Sequence, residues 1–137
     1  MPDSEVRLDA IALAAANGRV RASAPDAVVV RGDAQALERA LGNLVENALA
    51  YGPDDGLVDV CVSRNGGEAR LTVTDAGRGI PPDRVEAATT RFWRGDEARA
   101  QPGSGLGLAL VRATAERHGG RLEIDGPRFS IVLPALR

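Results

Sequence analysis

The chain has 137 residues, a length that suits a single domain able to bury a sizeable core without disulfides or a structural metal. Hydrophobic residues make up 44% and charged residues 26%, which excludes a disordered or membrane-embedded class. The net charge of −2 gives no electrostatic footprint for nucleic acid or a membrane surface, and no apolar run approaches the ~20 residues of a membrane span.

In chain order, EVRLDAIALAAA (5–16) reads as a short Ala-rich helix ended by Asn17-Gly18. The N-terminus lacks the basic-then-apolar plan of a signal peptide, which gives the expectation of a soluble, cytoplasmic chain. RVRASA (19–24) alternates as a strand, Pro25-Asp26 turns, and AVVVR (27–31) is a second strand. Asp33 is placed to cap a long helix that runs to about Ala50 and stops at Gly52-Pro53. Leu37, Leu41, Leu44, Val45 and Ala48 recur on it at helical spacing and mark its core face. LVDVCVSR (57–64) and ARLTVTD (69–75) form a hairpin around Asn65-Gly66-Gly67. Cys61 is alone, so it excludes an intrachain disulfide and reads as a buried, inert thiol in a reducing compartment. Residues 83–102 mix charge with weak periodicity and form a long loop, a length usually functional or disordered. A second amphipathic helix covers 106–119 and closes at Gly119-Gly120. RLEID (121–125) and RFSIVLP (128–134) finish the chain as a hairpin. Only 3% of residues are aromatic, so the core must be aliphatic. Helices on one face of a sheet give an α/β, two-layer sandwich.

Three polar or glycine-rich stations interrupt these elements. Asn43 and Asn47 are four apart, on one side of the long helix close to its apolar face. Buried amides need partners, and their oxygens are neutral hard ligands that suit Mg²⁺ otherwise held by phosphate and water. By itself the pair also describes polar residues at the edge of a solvated face. TDAGRGI (74–80) ends an apolar strand with Asp75, a carboxylate that needs a donor such as the exocyclic amine of adenine. Gly77 and Gly79 would admit a ligand close to the backbone, although taken alone this stretch is better explained by a plain Asp-Gly turn. GSGLGLALV (103–111) sets Gly103, Gly105 and Gly107 before a helix, where open N–H groups and the dipole favour an anion. It lacks the Lys and spacing of a Walker motif and the βαβ context of a dinucleotide fingerprint.

In this order, the three stations resemble the ATP-binding domain shared by gyrase, Hsp90, MutL and histidine kinases, from about residue 19 to the end. The match is best with the catalytic domain of bacterial sensor histidine kinases. NLVENA resembles their N box, DAGRGI and GSGLGLALV their two glycine boxes, RFWRG (91–95) their F box, and HGGRLEI the strand entry after the last helix. The resemblance implies a Bergerat-type fold, a mixed sheet covered on one face by about three helices. It implies a domain over 19–137 after a linker or helix segment at 1–18, with an ATP lid at about 84–104. ATP and Mg²⁺ are the implied cofactors. Asn47 is then the metal ligand, and Asn43 supports metal or phosphates. Asp75 accepts from adenine, and Gly77, Gly79, Ile80 and Tyr51 shape the pocket. Gly103, Ser104, Gly105, Leu106 and Gly107 surround the phosphates. Phe92 anchors the lid, and Arg94 meets a phosphate, every one of the 17 basic residues being Arg.

The implied function is donation of the ATP γ-phosphoryl to a histidine on a separate dimerisation and phosphoacceptor domain or chain, and indirectly to a response regulator. The chain would be cytoplasmic, or the cytoplasmic part of a membrane-bound kinase. Alternatives are an anti-sigma-factor-type serine kinase, against which the F box argues, and a nucleotide-binding module without transfer activity. Ala50 stands where the family often has Lys or Arg, Thr89 replaces an F-box aromatic, and IDGPRF is short; these departures bear on affinity and lid order. His118 in RHGGR lacks a phosphoacceptor context and reads as a helix-end histidine. Gyrase-type and Hsp90-type ATPases carry a glutamate one turn before the metal asparagine; here that place is Asn43, and Glu46 points about 100° away round the helix.

Overall fold

A computed structural model describes residues 4–25, 27–51, 56–75, 104–125 and 127–136. Five strands form the main sheet in the order β2-β4-β5-β7-β6: β2 (Val20–Ser23), β4 (Val58–Asn65), β5 (Glu68–Thr74), β6 (Arg121–Asp125) and β7 (Arg128–Pro134). β2 lies parallel to β4, and every other neighbour is antiparallel, so the sheet is mixed. Alternation divides its faces. Val58, Val60, Val62, Ala69, Leu71, Val73, Phe129, Ile131 and Leu133 are buried on one face. In register on the other lie an Arg21–Asp59 ion pair, a Thr72–Ser130 hydroxyl contact and the linked Arg70, Glu123, Arg121 and Glu68. Cys61 shares that polar face and is half-buried, short of the full burial its strand position suggested.

Helices α1 (Leu8–Ala14), α2 (Ala34–Tyr51) and α3 (Ser104–Arg117) cover the apolar face. Helix α2 buries Leu37, Ala40, Leu41, Leu44 and Ala48, with Val45 packed at the margin. Asp33 caps it as expected: its Oδ1 accepts from the N–H groups of Gln35 (3.0 Å) and Ala36 (3.4 Å). Helix α3 ends in a Schellman arrangement, with the Gly120 N–H on the Ala115 carbonyl at 2.9 Å, the Gly119 N–H on the Glu116 carbonyl at 3.0 Å, and Gly119 at φ +82°.

Two stretches depart from the sequence expectation. Residues 5–16 are not one helix: Ser4–Arg7 form β1, paired antiparallel with β3 (Val29–Gly32) in a separate two-stranded ribbon. Tertiary pairing overrides local helix propensity here, since Val6 is buried while Glu5 and Arg7 face out. Helix α1 then starts without a side-chain cap from Arg7, and Asp9 in its first turn is used elsewhere. Asp9 accepts the Val28 N–H at 3.1 Å and pairs with Arg7 at 2.6 Å. Leu8, Ile11 and Ala12 share the main core, so this segment is packed into the fold. The second departure is the start of α3, at Ser104 and not at Leu106, which makes the glycine station the first turn of the helix itself.

Candidate nucleotide and metal site

Helices α2 and α3 run antiparallel, as two contacts show. Near the start of α2, the Asp33 N–H donates to Nε2 of His118 beyond the end of α3. Further along α2, Asn43 and Asn47 face Gly107 in the first turn of α3: a Cβ at Gly107 would stand 3.5 Å from Asn47 Nδ2 and 3.7 Å from Asn43 Cβ and Cγ. By helical rise the two contacts are roughly 15–20 Å apart.

Asn47 is buried at 5% exposure, although it lies on the same side as the half-buried Asn43. Its Nδ2 is buried without a hydrogen-bond partner among the described residues. A polar atom left so is a cost of about 1–3 kcal/mol, and in folded proteins such groups are few and commonly meet an ordered water, an ion or a ligand. An amide presents oxygen or nitrogen by turning over about its last torsion, so Asn47 can offer Oδ1 to a hard cation. Facing it, the first-turn N–H groups of α3 have no acceptor within the helix and lie at the positive end of its dipole. An amide oxygen on one side and an anion-binding helix start on the other is the donor set that a cation bridging phosphates requires. The residues present therefore fit Mg²⁺ with a polyphosphate.

Asp75 follows β5, a strand in contact with α2, and is 5% exposed. Its N–H donates to the Pro127 carbonyl at 3.0 Å, which ties the exit of β5 to the turn between β6 and β7. Ser104, Gly105 and Gly107 lie in the first turn of α3 with Leu106, and Tyr51 is the last residue of α2. Gly77, Gly79, Ile80, Phe92, Arg94, Gly103, and all of the lid except Ser104 lie outside the described residues, as do Thr89 and its neighbours. Glu46 is exposed, turned away from Asn47.

His118 sits at the end of α3 as expected, but its role is wider than a dipole contact. It is buried, and both ring nitrogens are engaged: Nδ1–H donates to the Thr114 carbonyl at 2.8 Å, and Nε2 accepts from the Asp33 N–H at 3.1 Å. Neither nitrogen is presented to a phosphoryl donor. The spacing of Thr114 and His118 was visible in the sequence; the partner at Asp33, 85 residues away, was not.

A mixed five-stranded sheet covered on one face by helices is the fold of histidine kinase catalytic domains. The mycobacterial sensor histidine kinase MprB superposes on this chain with a TM-score of 0.80 and 31% identity, covering 97% of both chains. Among curated relatives, the sensor-like histidine kinase SenX3 of Mycobacterium tuberculosis is 44% identical over 124 residues, 85% of this chain and 30% of its own length. The histidine-protein kinase/phosphatase MprB of Mycolicibacterium smegmatis is 47% identical over 97 residues, 70% of this chain and 20% of its own length. The chain thus spans less than a third of these relatives. Residues 32–137 match the histidine kinase-, DNA gyrase B- and HSP90-like ATPase family, and the chain belongs to it.

Proposed function

We propose that this chain binds ATP with Mg²⁺ and donates the γ-phosphoryl group to a histidine on a separate phosphoacceptor domain or chain, as the catalytic part of a two-component sensor histidine kinase. The observation that carries this is the buried Asn47 Nδ2, without a partner among the described residues, facing the first turn of α3. Asn47 would hold Mg²⁺, and Asn43, one turn earlier, would support the metal or the phosphates. The N–H groups of Ser104, Gly105, Leu106 and Gly107, with Gly103 before them, would receive phosphate oxygens. Asp75 would accept from the adenine amine beside Gly77, Gly79, Ile80 and Tyr51. Arg94 would meet a phosphate under a lid over 84–104 anchored by Phe92. When bound, Mg²⁺ supplies charge neutralisation at the phosphates. The chain itself contributes positioning and fixed dipoles, which supply most of the catalysis in phosphoryl transfer.

The acceptor histidine would lie on that separate domain or chain; His118, buried with both nitrogens engaged, supports this. A response regulator would receive the phosphoryl group from that partner. Residues 1–18 would lead in from the acceptor side, and the whole would work in the cytoplasm. The test is to incubate the chain with γ-labelled ATP and histidine-bearing acceptor domains. Acid-labile, base-stable label on the acceptor is the expected result. Label that resists acid, as on serine, or no label from a chain that binds Mg·ATP, rejects histidine kinase activity.

A further inference from the structure

We propose that His118 is a positioning residue: in its neutral Nδ1–H form it clamps the end of α3 to the start of α2, and so sets how Gly107 faces Asn43 and Asn47 at the other end of the helix pair. This rests on the ATP reading of that site for its functional consequence, but not for its geometry.

The ring's chemistry is dictated by its partners. The Thr114 carbonyl can only accept, so Nδ1 carries the proton; the Asp33 backbone N–H can only donate, so Nε2 carries the lone pair. Asp33 is also the residue whose side chain caps α2, so the clamp seizes α2 at the point where its first turn is defined. The ring lies so close to Gly32 that a Cβ there would overlap its Cδ2 and Nε2. Gly32 therefore lets the imidazole reach the helix start at the end of β3. On the other side, Gly120 is held against β7, where a Cβ would overlap the Val132 carbonyl. The imidazole is thus held from the strand side at Gly32 and from the helix side at Thr114 and Asp33, and the chain just after it is held against the sheet at Gly120.

Helices and packed cores transmit displacement because they compress little. A fixed point at one end of two antiparallel helices becomes a fixed register at the other, where Gly107 meets the asparagines. Phosphoryl transfer depends on such positioning, and a misplacement of about 1 Å can cost 100-fold.

The test uses the intact chain with His118→Phe, which keeps an aromatic ring without an acceptor, and His118→Gln, whose Oε1 can accept from Asp33 where Nε2 did. Melting temperature, Mg·ATP affinity by calorimetry, and the NMR signals of the Gly107 amide and the Asn47 side-chain amide in the free protein are measured for each. His118→Phe is expected to weaken Mg·ATP about tenfold and to shift both signals, and His118→Gln to restore both. Gly32→Ala, which drives the ring away with His118 still present, reproduces the Phe pattern and serves if His118→Phe does not fold. In the wild type, nitrogen-15 spectra show the ring protonated at Nδ1. Unshifted Gly107 and Asn47 signals in the Phe or Gly32→Ala variant, failure of Gln to rescue, or a wild-type ring protonated at Nε2 overturns the clamp. A wild type that binds no Mg·ATP rejects the ATP reading instead, and the two NMR signals then decide the clamp alone.

Discussion

Asn47→Ala tests the site through an unusual pair of effects. In the ligand-free chain the Asn47 Nδ2 is buried without a partner, and removing such a group relieves about 1–2 kcal/mol. Alanine also gains about 0.6 kcal/mol of helix propensity in the interior of α2. Against these stands the lost packing of a small side-chain amide, about 1 kcal/mol. The net is a stabilisation of about 1 kcal/mol, or a melting temperature about 3–5 °C higher for a domain of this size. Mg·ATP at 100 times its dissociation constant adds about 2.7 kcal/mol to the wild type. The variant loses a direct metal ligand, so its affinity falls at least about 100-fold and that added stability vanishes. Thermal melts with and without Mg·ATP read both effects in one assay. A ligand-free variant that melts below wild type shows that the amide serves the fold. A variant that keeps its Mg·ATP shift shows that the amide is no ligand. Either result refutes the reasoning.

Asp75→Asn should weaken ATP far more than inorganic triphosphate in competitive titrations, because the carboxylate at the β5 exit is assigned to adenine alone; equal losses reject the adenine contact. Gly107→Ala places a methyl at ordinary contact distance, 3.5 Å from Asn47 Nδ2, so melting temperature should hold while Mg·ATP affinity falls about tenfold. A fall in stability without a fall in affinity contradicts this. The Asp9 carboxyl is held at about 2, well below its ordinary 3.8, first by its hydrogen bonds from Arg7 and then by the Val28 N–H, against the opposing effect of burial. A depressed carboxylate contributes stability that is complete above about pH 4 and lost as pH falls toward 2. With Arg7 more than half exposed, the contribution is about 1–2 kcal/mol. Asp9→Asn should therefore lower stability at pH 7 and flatten its pH dependence between 4 and 2; an unchanged acid-unfolding profile rejects the link.

The elements that the sequence discloses are those whose signals are local. Asp33 as cap, the β4–β5 hairpin turn and the Gly119-Gly120 stop each depend on a few adjacent residues, and each appears in the structure. The helical face of α2 is likewise legible from the spacing of Leu37, Leu41, Leu44 and Ala48. Residues 5–16 mislead because Val6 gains more by pairing with β3 than by extending an Ala-rich helix, and no window of sequence contains that partner. The site divides in the same way. The order of three stations pointed to the family, but only the antiparallel packing of α2 on α3 brings Gly107 to Asn47. That Asn47 is buried and unpartnered, while Asn43 is half-buried, is invisible in a four-residue spacing that treats both alike. His118 shows the opposite case. Its neighbour Thr114 lies within the same helix, whereas Asp33, the partner that gives it meaning, is joined only by the fold.

The proposed reading as a kinase and not an ATPase turns on one turn of α2. Water must lose a proton as it attacks phosphorus, so hydrolysis gains from a group, such as a carboxylate, placed to orient it and take that proton. A neutral imidazole attacks through a lone pair and needs no such base on the ATP-binding side. Here the position one turn before Asn47 is the amide of Asn43, half-buried and facing Gly107, while the neighbouring carboxylate, Glu46, is exposed to solvent. On the proposed reading, the described face of α2 would supply ligands without a base, leaving bound ATP for a nucleophile from elsewhere. Asn43→Glu supplies the missing group at the right turn. With imperfect placement it should raise ATP hydrolysis about tenfold or more, below the 100- to 10,000-fold of a well-aligned base. Phosphate release measured beside transfer to an acceptor histidine would show hydrolysis rising as transfer falls. A variant that still binds Mg·ATP and hydrolyses it no faster than wild type removes Asn43 as the basis of the distinction.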